Sequence, residues 1–221
     1  MTVIGISGSP IPDSTTDRAL RIALNATGQE TEFIKLSDYS YEPCRACLGC
    51  ETSNICVLKD DATALAQKVR YADALIVAGY ASYSSLDGRT KSFLERLWQL
   101  RHTHGFMRSK PGGIIMTSAV PLGHSMRPQV LDLAISSVKN YMMEEGMDIV
   151  GSVGVLGIPP CLHCTPGEHC AMSGVKMFCG PDTTPRESFP IQKLEEQQEV
   201  IAALEAMGRE IGKRVENSKM K

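Results

Sequence analysis

The 221-residue sequence has little aromatic character, with one tryptophan and aromatics at 5% of residues. Its core must therefore be built mainly from aliphatic and small side chains. No apolar run approaches the roughly twenty residues that cross a bilayer, and residues 1–7 read as a strand, not as a basic start with a cleavage site. No membrane partner is expected, and the protein reads as cytoplasmic. Neither sign of charge dominates, since 23 Lys and Arg against 25 Asp and Glu give a formal net charge of -2. That balance gives no support for a nucleic-acid partner. Two nucleotide signatures are missing as well: the Gly-Lys-Ser/Thr of the P-loop and the Gly-x-Gly-x-x-Gly of dinucleotide folds.

Cysteine, by contrast, is plentiful. Eight cysteines without an export signal point to metal or redox chemistry, because the cytosol keeps thiols reduced. They form two modules, four in residues 44–56 and four in residues 161–179.

Apolar runs at 2–7, 31–36, 74–79, 112–117 and 148–156 read as strands, and helical patterning at 14–26, 60–71, 89–102, 126–146 and 191–215 alternates with them. Strands apolar on both sides belong to a parallel sheet covered by helices. The expected fold is α/β, one domain over residues 1–221 with a doubly wound five-stranded parallel sheet. A Cys-rich loop at 37–59 follows strand two, and a Cys-rich insertion at 157–190, read as irregular, follows strand five. Ligands of such sheets sit outside the carboxyl ends of the strands. The loops at 8–16, 80–88 and 118–125 leave that edge, and both cysteine modules are expected there.

The first of these loops, Gly8-Ser9-Pro10-Ile11-Pro12-Asp13-Ser14-Thr15-Thr16, meets a helix N-terminus, where N–H groups and the helix dipole favour an anion. Hydroxyls at Ser9, Ser14, Thr15 and Thr16 can complete a monophosphate cradle, or act only as caps and turn residues. The loop from Gly79 to Leu86, with Tyr80, Ser82, Tyr83, Ser84 and Ser85, offers amides, small residues and an aromatic face beside it.

The run Cys44-x2-Cys47-x2-Cys50-x5-Cys56 has three cysteines at successive three-residue steps, which suits the corners of a [4Fe–4S] cubane better than the paired knuckles of zinc. Cys161, Cys164, Cys170 and Cys179 are spaced less tellingly, with His163 and His169 among them. A second [4Fe–4S] cluster, zinc held by cysteines or by cysteines and histidines, and free thiols all stay open. His102 and His104 read as a solvated helix end, His124 as a surface residue near the ligand edge, Met142, Met143 and Met147 as core or interface packing, and Glu195–Glu199 as a solvated face. No side chain stands out as an acid or base, so no catalytic residue is named.

Ser7-Gly8-Ser9-Pro10 with Ser14-Thr15-Thr16, the cysteine run ahead of Asp60-Asp61, and Ala72-Asp73-Ala74-Leu75-Ile76-Val77 with the loop at 80–85 together resemble the iron–sulfur flavoproteins of the flavodoxin-like, NADPH-dependent FMN reductase kind. The resemblance covers about residues 1–155 and implies FMN. Its phosphate would be held by Ser9, Pro10, Ser14, Thr15 and Thr16 and its ring by Ser82, Tyr83, Ser84 and Ser85, with Ser118 from the loop after strand four. It also implies a homodimer or homotetramer in which the cluster of one subunit approaches the flavin of another. The chain departs from the family's Ser-Pro-x-Tyr loop with Tyr80-Ala81-Ser82-Tyr83, has few glycines in Ser118-Ala119-Val120-Pro121-Leu122-Gly123, and adds the second cysteine module. The expected function is electron transfer between a one-electron donor such as ferredoxin, the cluster, FMN and an acceptor. An NAD(P)H-dependent FMN or quinone reductase with a structural metal site, and a non-enzymatic redox sensor, are the alternatives.

Overall fold

The computed structural model of the chain describes residues 1–120, 129–167, 169–183 and 192–218, without the side chains of Phe178 and Cys179. His124 and residues 121–123 lie outside them. Five parallel strands form the sheet: β1 (Thr2–Ser7), β2 (Glu30–Lys35), β3 (Ala74–Ser82), β5 (Pro111–Ser118) and β6 (Asp148–Leu156), in the order β2-β1-β3-β5-β6. A sixth, two-residue strand, β4 (Ser85–Leu86), folds back antiparallel on the end of β3. The connecting helices are α1 (Thr15–Ala26), α2 (Asp61–Tyr71), α3 (Gly88–Arg96), α4 (Asp132–Glu144), α5 (Gly174–Cys179) and α6 (Gln198–Ser218). Among the described residues no helix is long and apolar enough to cross a membrane.

The two-residue period of the strands sorts their side chains onto two cores. Ile4, Ile6, Leu75, Val77, Ile114 and Met116 pack with α2, α3 and α4 on one face. Val3, Ala74, Ile76, Ala78 and Ile115 pack with α1 and α6 on the other. Two buried faces explain why the strands read as unbroken apolar runs. Strand order turns outward in opposite directions at β1 and β3, and in doubly wound sheets of this order a flavin binds at that switch point.

Four local expectations change. The loop at 80–88 is a hairpin: Tyr83 and Ser84 both take positive φ, 50° and 61°, as the two central residues of a type I′ turn require. Neither is the Asn or Gly that normally signals such a turn. The helix expected over 89–102 leaves α geometry at Arg96 and closes as a 3-10 turn, Leu97–Leu100. The helices expected to start at 126 and 191 start at Asp132 and Gln198, the second because a separate 3-10 turn, Leu194–Glu196, comes first with Glu196 capping Lys193 N at 3.0 Å. The segment expected to be irregular contains α5 and the 3-10 turn Pro160–Leu162, packed around Leu162, Val175 and Cys161.

Candidate functional site: a phosphate loop, a hairpin and a cysteine loop

The loop between β1 and α1 is organised by a residue that the sequence reading passed over. Asp17, the third residue of α1, is buried and accepts from Ser7 Oγ at 2.5 Å, Ser14 N at 3.1 Å and Lys35 Nζ at 2.5 Å. Ser14 Oγ in turn accepts from Asp17 N at 3.1 Å, a reciprocal capping box. Lys35 also donates to Ile11 O at 2.9 Å, so its charge both offsets Asp17 and holds the loop's outer turn. The Ser14-x-x-Asp17 spacing was the available signal.

The hydroxyls then divide by role. Ser14 Oγ and Ser9 Oγ each accept a backbone N–H, from Asp17 and Ile11, which leaves their own hydrogens to donate. Thr16 Oγ1 stands 2.8 Å from Thr117 Oγ1, and Thr117 donates to Gly79 O at 3.2 Å, so Thr16 must be the donor to Thr117. Its hydrogen is thereby spent inside the fold, tying α1 to β5 and β3. Thr16 and Thr15 still present first-turn N–H groups that have no intrahelical partner. Pro10 is exposed and Thr15 half-buried.

The hairpin stands beside this loop through Asp87. This buried carboxylate caps α3 by accepting from Thr90 N at 2.8 Å and holds the β3 end by accepting from Tyr80 N at 3.2 Å. Burial raises its pKa. Gly8 and Gly79 both lie against it: a Cβ on either would come within 2.9 Å of an Asp87 oxygen, and one on Gly8 would also run into Thr90 Oγ1. The glycines let the phosphate loop, the hairpin and the head of α3 close on one another. Ser82 and Ser84 are half-buried, Ser85 is exposed, and Tyr83 stands fully in solvent at the hairpin tip. Ser118, at the end of β5, is buried with Oγ accepting from Val120 N at 3.0 Å.

The first cysteine module leaves the strand ends as expected, but its sulfurs do not stay there. The chain descends along α3: Tyr41 Oη donates to Arg89 O at 3.0 Å, Glu42 O accepts from Arg96 at 2.7 Å, and Cys56 N donates to Gln99 Oε1 at 3.0 Å. The thiols thus pack on the far end of the helix whose near end borders the phosphate loop. From Asp87 to Gln99, through α3 and the 3-10 turn that follows, the rise is about 20 Å.

Two buried devices hold this loop. Asn54 Nδ2 donates to Gln99 O and His102 O at 2.8 and 2.7 Å, while its Oδ1 meets His104 Nδ1 at 2.8 Å. His104 and His102 are therefore loop supports, stacked on Phe106 and Trp98, and not a merely solvated helix end. Second, Arg96 grips Asp60 with both terminal nitrogens, at 2.6 and 2.7 Å. That contact lowers the Asp60 pKa, and Asp60 also accepts from Glu42 N while Asp61 accepts from Ser40 N. Asp60 and Asp61, at the start of α2, thereby clasp the cysteine loop. Nothing in the sequence marked Asn54, Gln99 or Arg96.

Cys44, Cys47, Cys50 and Cys56 line one pocket of about 30 Å³ with Arg96, Trp98, Gln99 and His102. Burial pushes the Cys50 thiol up, and the neighbouring Cys56, Cys44 and Cys47 push the same way. Ala46, Leu48 and Asn54 take positive φ, so the backbone turns sharply between successive sulfurs, and Ala46 N reaches Cys44 Sγ at 3.4 Å. Among the described residues no three His, Cys, Asp or Glu side chains are arranged to hold a single metal ion. A cubane takes its thiolates at separate iron corners, wider apart than the ligands of one tetrahedral zinc. Four thiols around one pocket, with a buried cation beside them, fit such a cluster chemically.

In the second module, Cys161 and Cys170 are half-buried and Cys164 exposed; the Cys179 side chain lies outside the described residues. Gly174 N donates to Cys161 Sγ at 3.3 Å, placing that sulfur at the start of α5. The module follows β6 at the ligand edge, where Gly157 N donates to Ser118 O at 2.7 Å.

Comparison with known proteins agrees with this architecture. An iron-sulfur flavoprotein of Methanocaldococcus jannaschii is 34% identical over 155 residues, covering 68% of this chain and 76% of that one. One of Methanosarcina thermophila is 30% identical over 185 residues, covering 81% and 94%. Among solved structures, an FMN-dependent NADH-azoreductase of Bacillus anthracis superposes with a TM-score of 0.62 at 10% identity, covering 96% of this chain and all of that one. An archaeal flavodoxin gives a TM-score of 0.53 at 12% identity, covering 98% and 99%, and both share the fold. The family match and these relatives make the chain a flavin-dependent oxidoreductase, on a sheet order that suits it. The chain belongs to the NADPH-dependent FMN reductase family, whose sequence profile matches residues 1–144, and within it to the iron–sulfur flavoproteins.

Proposed function

We propose that the protein passes electrons between a one-electron donor such as ferredoxin and an acceptor through a [4Fe–4S] cluster at Cys44, Cys47, Cys50 and Cys56 and an FMN held at the β1 and β3 strand ends, as a single domain over residues 1–221. When bound, the cluster supplies one-electron chemistry and the flavin links one- and two-electron steps. The observation that carries the reading is the framework of Asn54 with Gln99 and Arg96 with Asp60, which presents four thiols in one pocket, with the nearby Glu95 carboxylate held by Lys91.

The chain's own groups do the rest. Ser9 and Ser14 donate hydroxyl hydrogens, and the N–H groups of Thr15 and Thr16 add the helix terminus, to a phosphate. Ser82, Tyr83, Ser84 and Ser85 border the ring on the hairpin, with Ser118 opposite. The separation of about 20 Å along α3 and its 3-10 extension supports a homodimer or homotetramer in which the cysteine loop of one copy meets the flavin loops of another. Cys161, Cys164, Cys170 and Cys179 hold a second [4Fe–4S] cluster or zinc.

Protein purified without oxygen tests this through its iron, zinc and FMN content. About four irons per FMN assigns one cluster, and about eight assigns both modules to iron. No iron in protein that retains FMN overturns the relay. Rapid anaerobic flavin reduction by NADPH, with none by reduced ferredoxin, replaces the donor with a pyridine nucleotide.

A further inference from the structure

Arg96 is the least expected charge in the fold. Its side chain is fully buried, it comes from α3 and not from the cysteine loop, and it faces the pocket that the four thiols line. Its two terminal nitrogens are engaged by Asp60 Oδ1 and Oδ2, Glu42 O and Thr63 Oγ1. Among the described residues its Nε finds no nitrogen or oxygen acceptor at hydrogen-bond geometry. Cys56 stands close enough to the guanidinium to raise its proton affinity both by charge and by a side-chain hydrogen bond, so the thiol is the acceptor that the guanidinium faces. A buried donor that faces only a neutral thiol is poorly satisfied, and a thiolate or sulfide is a far better acceptor than a neutral thiol.

Resting on the reading of residues 44–56 as a cluster site, we propose that Arg96 is a positioning and tuning residue for that cluster: its fork is clamped by Asp60 so that its remaining N–H and its charge face Cys56 and set the cluster's reduction potential. Each added electron makes an iron–sulfur centre more negative. A cation at fixed distance favours the reduced state, and a carboxylate at fixed distance opposes it. The buried Arg96 and the half-buried Asp60 form one paired unit, so their removals act in opposite directions on the potential even though both loosen the loop. A clasp that only braces the backbone makes the two removals alike.

The test measures iron content, cluster absorbance and midpoint potential in wild-type protein and in Arg96→Gln, Arg96→Lys and Asp60→Asn. Losing one charge-assisted contact lowers the reduction equilibrium constant of Arg96→Gln by about tenfold, which for a one-electron couple is about 59 mV. Asp60→Asn raises it, and Arg96→Lys, which keeps the charge without the fork, falls between wild type and Arg96→Gln. Should Arg96→Gln fail to fold, the rise in Asp60→Asn still decides. Unchanged potentials in every variant that keeps its cluster overturn the inference alone. Wild-type protein without iron at this site overturns the cluster reading and the inference with it.

Discussion

The Asn54 side-chain amide donates to Gln99 O at 2.8 Å while Gln99 Oε1 accepts from Cys56 N at 3.0 Å, so two buried amides lock the last cysteine of the first module onto the end of α3. Asn54→Ala leaves Gln99 O and His102 O without that donor and removes the partner of His104. With a buried unsatisfied group costing about 1–3 kcal/mol, the expected loss is about 2–3 kcal/mol. Thermal unfolding reads the loss, and the iron-to-FMN ratio should fall by half or more. FMN affinity should stay within about twofold, because the flavin loops lie at the other end of α3. Equal loss of FMN and iron would show that the two ends are not independent.

The two hydroxyls of the α1 N-terminus separate the phosphate reading from plain capping. Ser14→Ala removes a cap, worth about 1 kcal/mol, and also a free donor. Thr16→Val removes only a donor already committed to Thr117. Ser14→Ala should therefore weaken FMN about tenfold while leaving riboflavin within about twofold, since riboflavin lacks the phosphate. Thr16→Val should weaken both alike, through the packing of α1 on β5. Fluorescence titration of the apoprotein with each flavin tests this, and an equal effect of Ser14→Ala on both removes Ser14 from the phosphate site.

Much of this site was legible in the residues and part was not, for a physical reason. The parallel sheet announced itself because both faces are buried, so Ala74 to Ala78 carries no polar interruption. The cysteine run and the Gly8 to Thr16 loop are local in sequence, and their chemistry travels with their spacing. The supports are not local. Asn54 and Gln99 are 45 residues apart, Asp60 and Arg96 are 36 apart, and Lys35 reaches Asp17 across 18. Each is an ordinary polar residue on an ordinary surface pattern until the fold buries it against its partner. The hairpin escaped for a different reason, because Tyr83 and Ser84 adopt a turn conformation usually signalled by Asn or Gly.

Glu145, at the end of α4, predicts a pH dependence unconnected to either proposed redox site. Burial raises its pKa to about 7, with Glu144 adding and Arg101, 3.8 Å away, opposing. Its Oε2 and the Tyr141 hydroxyl packed near it lack hydrogen-bond partners among the described residues. Because the folded-state value lies above the unfolded one, the folded protein holds the proton more tightly. The contribution is full below about pH 4.5 and is lost as pH rises towards 7. Glu145→Gln should match wild type near pH 4.5 and exceed it by about 2 kcal/mol at pH 8, as measured by denaturant unfolding at the two values. No gap at pH 8 would mean that Glu145 ionises without cost.

The sharpest packing prediction concerns two glycines in the last helix. Gly208 and Gly212 lie one turn apart on the face of α6 that meets α1, and both are buried. A Cβ on Gly208 would run into Ala23 O and one on Gly212 into Thr27 O, carbonyl groups that cannot rotate away. Helix propensity alone favours alanine at both positions, by about 1 kcal/mol each. The clash should win, because relieving it means prising two helix backbones apart across a core that includes Leu20, Ala23, Leu204 and Ile211. Gly212→Ala should therefore destabilise the fold by about 2–3 kcal/mol in denaturant unfolding. It should also weaken FMN severalfold, since a displaced α1 carries Ser14 and Thr16 with it. A neutral or stabilising Gly212→Ala would mean that the α1–α6 contact yields readily, and that the phosphate loop is fixed by Asp17 and Thr117 without it.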